Sequence, residues 1–165
     1  MIEPSKVSEA VSRVEDENYA FRAYLKNHED KLDKQFLKLH NELFSDYDCN
    51  KCRNCCREYS ASFEENELKS VSALLEMTEK EFKDKYIKEN MGEYLLNVKP
   101  CCFLMEDGSC TIEPCKPLSC KDYPFTNRPE RLWSLLSILT SSSICPVVFE
   151  MLERLKKEYG FRKRR

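Results

Sequence analysis

Near the start of the chain, apolar residues recur in steps of three and four. They are Val7, Val11, Val14, Phe21, Leu25, Leu32, Phe36, Leu39 and Leu43, with Asn18 and His28 filling the register. That spacing describes one face of a helix. Residues 5 to 44 contain neither Gly nor Pro, Pro4 precedes them, and Ser5 is placed to cap. An unbroken helix of this length would run about 60 Å. A break near His28-Glu29-Asp30 would give two packed helices instead.

Further along, Ser62-Phe63-Glu64-Glu65 has a capping-box pattern and predicts a helix with Phe63, Leu68, Val71 and Leu75 inward. Thr78-Glu79-Lys80-Glu81 repeats the signal, predicting a helix with Phe82 and Tyr86 that ends before Gly92. The texture then changes. Tyr94 to Val98 and Cys101 to Leu104 read as extended. Asp107-Gly108 predicts a tight hairpin turn between Phe103-Leu104-Met105 and Cys110-Thr111-Ile112. Pro114, Pro117 and Pro124 predict an irregular loop, and the apolar run Leu132–Leu139 reads as a strand. Ser141-Ser142-Ser143 predicts a polar turn. Pro146 suits a first helical turn, and Cys145, Val148, Leu152, Leu155 and Tyr159 follow helical spacing beyond it. The fold class is α+β, mainly helical. It has a long N-terminal helix or helical hairpin, a small antiparallel β-hairpin layer, cysteine-rich metal-stapled loops and a C-terminal helix. The expected division is an N-terminal helical segment over 1–48 and a cysteine-cluster domain over 49–165, forming one compact unit with the helix packed on it.

Composition narrows the function. A chain of 165 residues with 41 % hydrophobic content is long enough to bury a core. A net charge of −2 carries no nucleic-acid signature. The first twenty residues have no apolar run resembling a secretory signal, and no stretch approaches a membrane span. A cytoplasmic location is therefore expected. Three glycines, Gly92, Gly108 and Gly160, exclude a Gly-rich phosphate loop. Two histidines, His28 and His40, both in the N-terminal helical region, leave no credible Ser-His-Asp arrangement. His28 reads as packed or half-exposed and His40 as a surface residue. Tyr123, Phe125 and Trp133 are expected in the core around the cysteines. From Arg154 to Arg165 the chain carries seven basic residues against Glu158 alone, which reads as a solvated, frayed end.

The remaining signal is ten cysteines, none in the first 48 residues. In a reducing compartment, closely spaced cysteines point to metal rather than disulfides. Cys49-x-x-Cys52-x-x-Cys55-Cys56 is the sharpest pattern, because a C-x-x-C turn lets two sulfurs converge on one ion. Three cysteines at that spacing also resemble the run that cups an iron–sulfur cluster. Cys55 and Cys56 are adjacent, so they either serve different ions or one stands outside the coordination. The predicted hairpin brings Cys101 towards Cys110, Cys120 lies in the proline-rich loop, and Cys145 sits at a helix N-terminus that favours a thiolate. Lys51, Arg53, Arg57, Lys116, Lys121 and Arg128 are interleaved among the cysteines. They are either ordinary solvated charges or an offset to the negative charge of a thiolate site.

These blocks resemble the YkgJ-type CxxCxxCC cysteine-cluster family, whose members are described as zinc- or iron-chelating domains. The resemblance rests on Cys49-Asn50-Lys51-Cys52-Arg53-Asn54-Cys55-Cys56, Pro100-Cys101-Cys102-Phe103-Leu104, Gly108-Ser109-Cys110-Thr111-Ile112, Lys116 to Pro124, and Cys145-Pro146. It departs from the family pattern at Lys116, where arginine is usual, and at Glu113, where tyrosine is usual. Flagellin lysine N-methylases share the cysteine pattern. The resemblance implies Cys49, Cys52, Cys55, Cys56, Cys101, Cys110, Cys120 and Cys145 as metal ligands, as two four-sulfur sites or one site with spare cysteines. Cys102 and Cys115 read as packing or peripheral thiols. The resulting expectation is a metal-binding protein holding an iron–sulfur cluster or zinc, with the cluster slightly preferred. A metalloenzyme of the protein lysine N-methylase type and a zinc-structured interaction module are the alternatives. The implied partners are a metal ion or cluster and a protein docked on the N-terminal helix, with neither nucleic acid nor membrane expected.

Overall fold

The computed structural model describes residues 1–28 and 31–161. Glu29 and Asp30, within the expected helix break, and Arg162 to Arg165, the end of the basic tail, lie outside the described residues. The chain divides into two compact units, Met1–Cys52 with Pro124–Arg165, and Arg53–Tyr123.

The first unit is helical. A 3-10 turn (Pro4–Lys6) leads into α1 (Val7–Arg13), α2 (Glu15–Leu25) and α3 (Leu32–Phe44), and a single turn, α4 (Cys49–Cys52), follows. The unit closes with α9 (Arg131–Ser142) and α10 (Pro146–Glu158). The N-terminal stripe is thus cut at Val14 and again between Leu25 and Leu32. Val7, Asn18, Phe21, Leu25, Leu32, Phe36, Leu39 and Leu43 are all buried, so the stripe is core rather than an open docking face. It packs with Leu135, Ile138, Val147, Val148, Met151, Leu152 and Leu155 of α9 and α10.

Two polar devices lock this unit. Both oxygens of the Asp33 carboxylate, on α3, accept the backbone N–H groups of Glu130 and Arg131 at 2.8 Å, supplying the first turn of α9 with acceptors it lacks locally. Lys156 of α10 is 3 % exposed; its ammonium meets Glu17 at 2.8 Å, Asn18 Oδ1 at 3.2 Å and the Glu153 carboxylate. Arg154 pairs with Glu42 and Glu150. Neither residue belongs to a solvated tail, which corrects the sequence expectation for the start of the basic run.

The second unit contains α5 (Asn54–Glu58), β1 (Ser62–Phe63), α6 (Glu65–Leu74), α7 (Glu79–Tyr86), β2 (Ile87–Asn90), β3 (Glu93–Leu96) and α8 (Leu118–Lys121). The antiparallel sheet has the order β1-β3-β2, with Phe63 opposite Tyr94 and Ile87 opposite Leu96. Ala61, Phe63, Leu68, Val71, Phe82, Leu96, Phe103 and Ile112 form its core.

Several expectations are corrected. Leu132–Leu139 lies in a helix, not a strand: Leu135, Ile138 and Leu139 are buried while Trp133 and Leu136 are 83 % and 50 % exposed, so the run has a helical inner face. Trp133 is therefore not core. The helix through Phe82 and Tyr86 ends at Tyr86, before Gly92 as expected. The hairpin is Ile87 to Leu96, turning at Met91 and Gly92, whose φ values of 51° and 83° are the paired positive angles of a two-residue turn. Around Asp107-Gly108 the expected antiparallel turn does form, but only as a short one: Leu104 bridges Cys110, and the N–H groups of Thr111 and Met105 donate to the carbonyls of Phe103 and Ser109 at 2.9 Å. The first capping box is Glu64 with Glu67, two residues beyond its expected start, because Ser62 and Phe63 are in β1. The second, Thr78 with Glu81, forms as expected.

Candidate metal centre

Among the described residues, which include all ten cysteines, there is no disulfide. The Cys49–Cys56 run folds as two short helical turns. Asp48 starts the first, its Oδ1 accepting the N–H groups of Asn50 at 2.9 Å and Lys51 at 3.3 Å. Cys49 and Cys52 then fall on one side of α4, three residues apart. Arg53 interrupts the run in the left-handed region (φ 49°, ψ 16°), and α5 carries Cys55 and Cys56. The two cysteine pairs belong to different units.

In the first unit, Cys49 and Cys52 both act on Cys145, and all three act on Tyr47. Burial pushes the Tyr47 phenol up, and its hydrogen bond to Cys52, with the charges at Cys52, Cys145 and Cys49, pushes it further. Cys145 occupies the N-cap of α10 and accepts the N–H groups of Val148 and Val147. Burial nevertheless dominates and pushes this thiol up to about 12. The expected thiolate at this helix end is thus corrected: at 8 % exposure, desolvation outweighs the helix N-terminus.

In the second unit, Cys56, Cys101, Cys110 and Cys120 form a connected set. Cys56 acts on each of the other three, Cys101 also acts on Cys120, and Cys110 acts on Cys101. The Cys101 N–H donates to the Cys56 carbonyl at 2.8 Å, joining two segments forty-five residues apart. Cys120 is held through its neighbours in α8. The Ser119 hydroxyl donates to the Ser62 carbonyl at 2.7 Å and accepts from the Ser62 N–H at 3.1 Å. Glu67 accepts both the Leu118 N–H and the Glu64 N–H at 2.8 Å, so one carboxylate serves the starts of α6 and α8. Cys101, Cys110, Cys115 and Cys120 all pack against the unit's hydrophobic core.

The second set is electrostatically uneven. The hydrogen bond from Cys55 draws Cys56 down to about 6 against the opposing effect of burial, aided by the charges of Arg53 and Lys116 and a hydrogen bond from Arg53. Burial pushes Cys101 and Cys110 up and takes Cys120 to about 12. At neutral pH one thiolate therefore sits among protonated thiols.

Cys55 faces Cys56 through that hydrogen bond. Cys102 is exposed. His28 stacks on Tyr24 and bonds its carbonyl at 3.0 Å, while half-buried His40 bonds Thr126 at 2.9 Å. Among the described residues, no three Cys, His, Asp or Glu side chains converge tightly enough to hold an ion as they stand. The thiols are neighbours, and coordination requires them to turn onto a common point. Tyr47 was not legible as part of this region; its only sequence signal is its place two residues before Cys49. No helix among the described residues is long and apolar enough to cross a membrane.

A family model, CxxCxxCC, described as "Putative zinc- or iron-chelating domain", matches residues 48–146. No curated protein and no solved structure matches the chain.

Proposed function

The chain belongs to the CxxCxxCC family of zinc- or iron-chelating domains, and from that premise we propose that it binds single zinc or iron ions through two separate thiolate sets. Cys56, Cys101, Cys110 and Cys120 form a four-sulfur site. Cys49, Cys52 and Cys145, with the Tyr47 hydroxyl beside them, form a second. Cys55, hydrogen-bonded to Cys56, is assigned to neither. Four soft thiolates suit tetrahedral zinc or iron and disfavour magnesium or calcium.

The observation that carries this proposal is that four half-buried thiols from α5, the segment after Pro100, the Leu104–Cys110 bridge and α8 lie around one another: the Cys101 N–H is bonded to the Cys56 carbonyl, and Cys101, Cys110 and Cys120 pack on one core. Separate ions are favoured over one cluster cupped by the Cys49–Cys56 run. Arg53 breaks that run, and its first two cysteines neighbour Cys145 while Cys56 neighbours Cys101, Cys110 and Cys120. We place the protein in a reducing compartment such as the cytoplasm, where thiols stay available.

Elemental analysis of anaerobically purified protein tests this. We expect zinc or iron without the broad visible absorption of a sulfide-bridged cluster. Cys52→Ser and Cys120→Ser should each lower the bound metal, and the double variant should lower it further. Cys115→Ser should change it little. Full metal content in Cys120→Ser, or a brown protein containing acid-labile sulfide, would contradict the assignment.

A further inference from the structure

Two cations flank the Cys56 set. Arg53 is 8 % exposed, rare for a guanidinium, and hydrogen-bonds Cys56. Lys116 lies just before α8 with its side chain 17 % exposed, and its charge reaches Cys56, Cys110 and Cys120. The acidic groups facing these cations are weaker opponents. Glu113 meets Lys116 at 3.3 Å but its side chain is 55 % exposed, and Asp107, on which Arg53 acts, is itself exposed. Solvent screens both.

A dication held by four thiolates carries a net charge of −2, and burying that charge is costly unless it is compensated. We propose that Arg53 and Lys116 are positioning residues that neutralise the four-thiolate site of Arg53–Tyr123 and thereby retain a dication in it. This rests on the reading above that those four thiols take the metal. Neither cation coordinates. Each supplies one positive charge in half-dry surroundings, where it acts more strongly than at an open surface.

Full-length protein loaded with zinc alone, under anaerobic conditions, is challenged with a chromogenic chelator, and zinc release is followed for wild type, Arg53→Gln, Arg53→Lys, Lys116→Gln and Cys120→Ser. Cys120→Ser identifies the portion of zinc that belongs to this site. We expect Arg53→Gln and Lys116→Gln to weaken retention of that portion about ten- to a hundredfold, the usual effect of losing a partner just outside the ligands. Arg53→Lys, which keeps the charge, should stay nearer wild type. Wild-type retention in Arg53→Gln and Lys116→Gln, with release from Cys120→Ser, would overturn this inference and leave the thiol site standing. Wild-type retention in Cys120→Ser would overturn both. Arg53→Lys as leaky as Arg53→Gln, at unchanged helix content by circular dichroism, would refute a role through charge. If Arg53→Gln does not fold, Lys116→Gln decides: wild-type retention there also overturns it.

Discussion

Cys56 differs from the thiols around it in ionisation. Drawn down to about 6, it is a thiolate at neutral pH, whereas burial keeps protons on Cys101, Cys110 and Cys120. An ion bound by all four sulfurs must therefore displace protons from three. Calorimetric titration of zinc in buffers of different ionisation enthalpy should count about three protons released per ion at this site near pH 7. Affinity should fall as pH is lowered, since protons compete for the same sulfurs, and more steeply once the pH drops below about 6 and Cys56 protonates too. A count near zero would mean that the metal is held by other groups. Lys156 poses a different residue-scale question, because its ammonium is almost dry and faces two carboxylates and an amide. Lys156→Met keeps the apolar stem but strands Glu17, Glu153 and Asn18. We expect a loss of about 2 kcal/mol in urea unfolding, less than for a fully buried pair because both acids are partly solvated. Unchanged stability would show that the cluster contributes nothing net. Sequence pattern identified Lys156 only as one of seven basic residues, since its burial depends on Asn18, a polar residue set in an otherwise apolar stripe.

At the scale of elements, the hairpin Ile87 to Leu96 shows where sequence pattern stops being sufficient. Glu79 to Asn90 has helix-compatible residues throughout, and Thr78 with Glu81 marks the helix start clearly. The switch at Ile87 comes from pairing with β3, Ile87 opposite Leu96 and Glu89 opposite Tyr94, a tertiary choice that local propensity does not encode. Gly92 is the local trace of it, with φ 83° at the turn and open space where a Cβ would stand. Gly92→Ala should cost about 1–2 kcal/mol through backbone strain alone. Thermal unfolding of the variant measures this, and an unchanged midpoint would show that the turn tolerates another angle. The strand expected over Leu132–Leu139 failed for a related reason. A short apolar run fits either period, and the tie is broken by burial of Leu135, Ile138 and Leu139 with Trp133 and Leu136 outward. Where periodicity extended over many residues, as in the stripe from Val7 to Leu43 and in Pro146–Glu158, pattern and structure agree.

For the whole molecule, the cysteine blocks were legible because their spacing is a local property of the sequence. Which sulfurs neighbour which was not. Cys145 joins Cys49 and Cys52 because α10 starts beside them, and Cys120 joins Cys101 because Ser119 and Glu67 tie α8 to β1 and α6. The helical core of the first unit and the sheet-centred core of the second position these thiols without bringing any three to coordinating distance. On the proposed reading, a bound ion draws these sulfurs together and is surrounded by them. X-ray absorption at the zinc or iron edge of the loaded full-length protein reads out those neighbours. We expect a first shell dominated by sulfur at about 2.3 Å. A shell of nitrogen and oxygen near 2.0–2.1 Å, with sulfur in the minority, would contradict it.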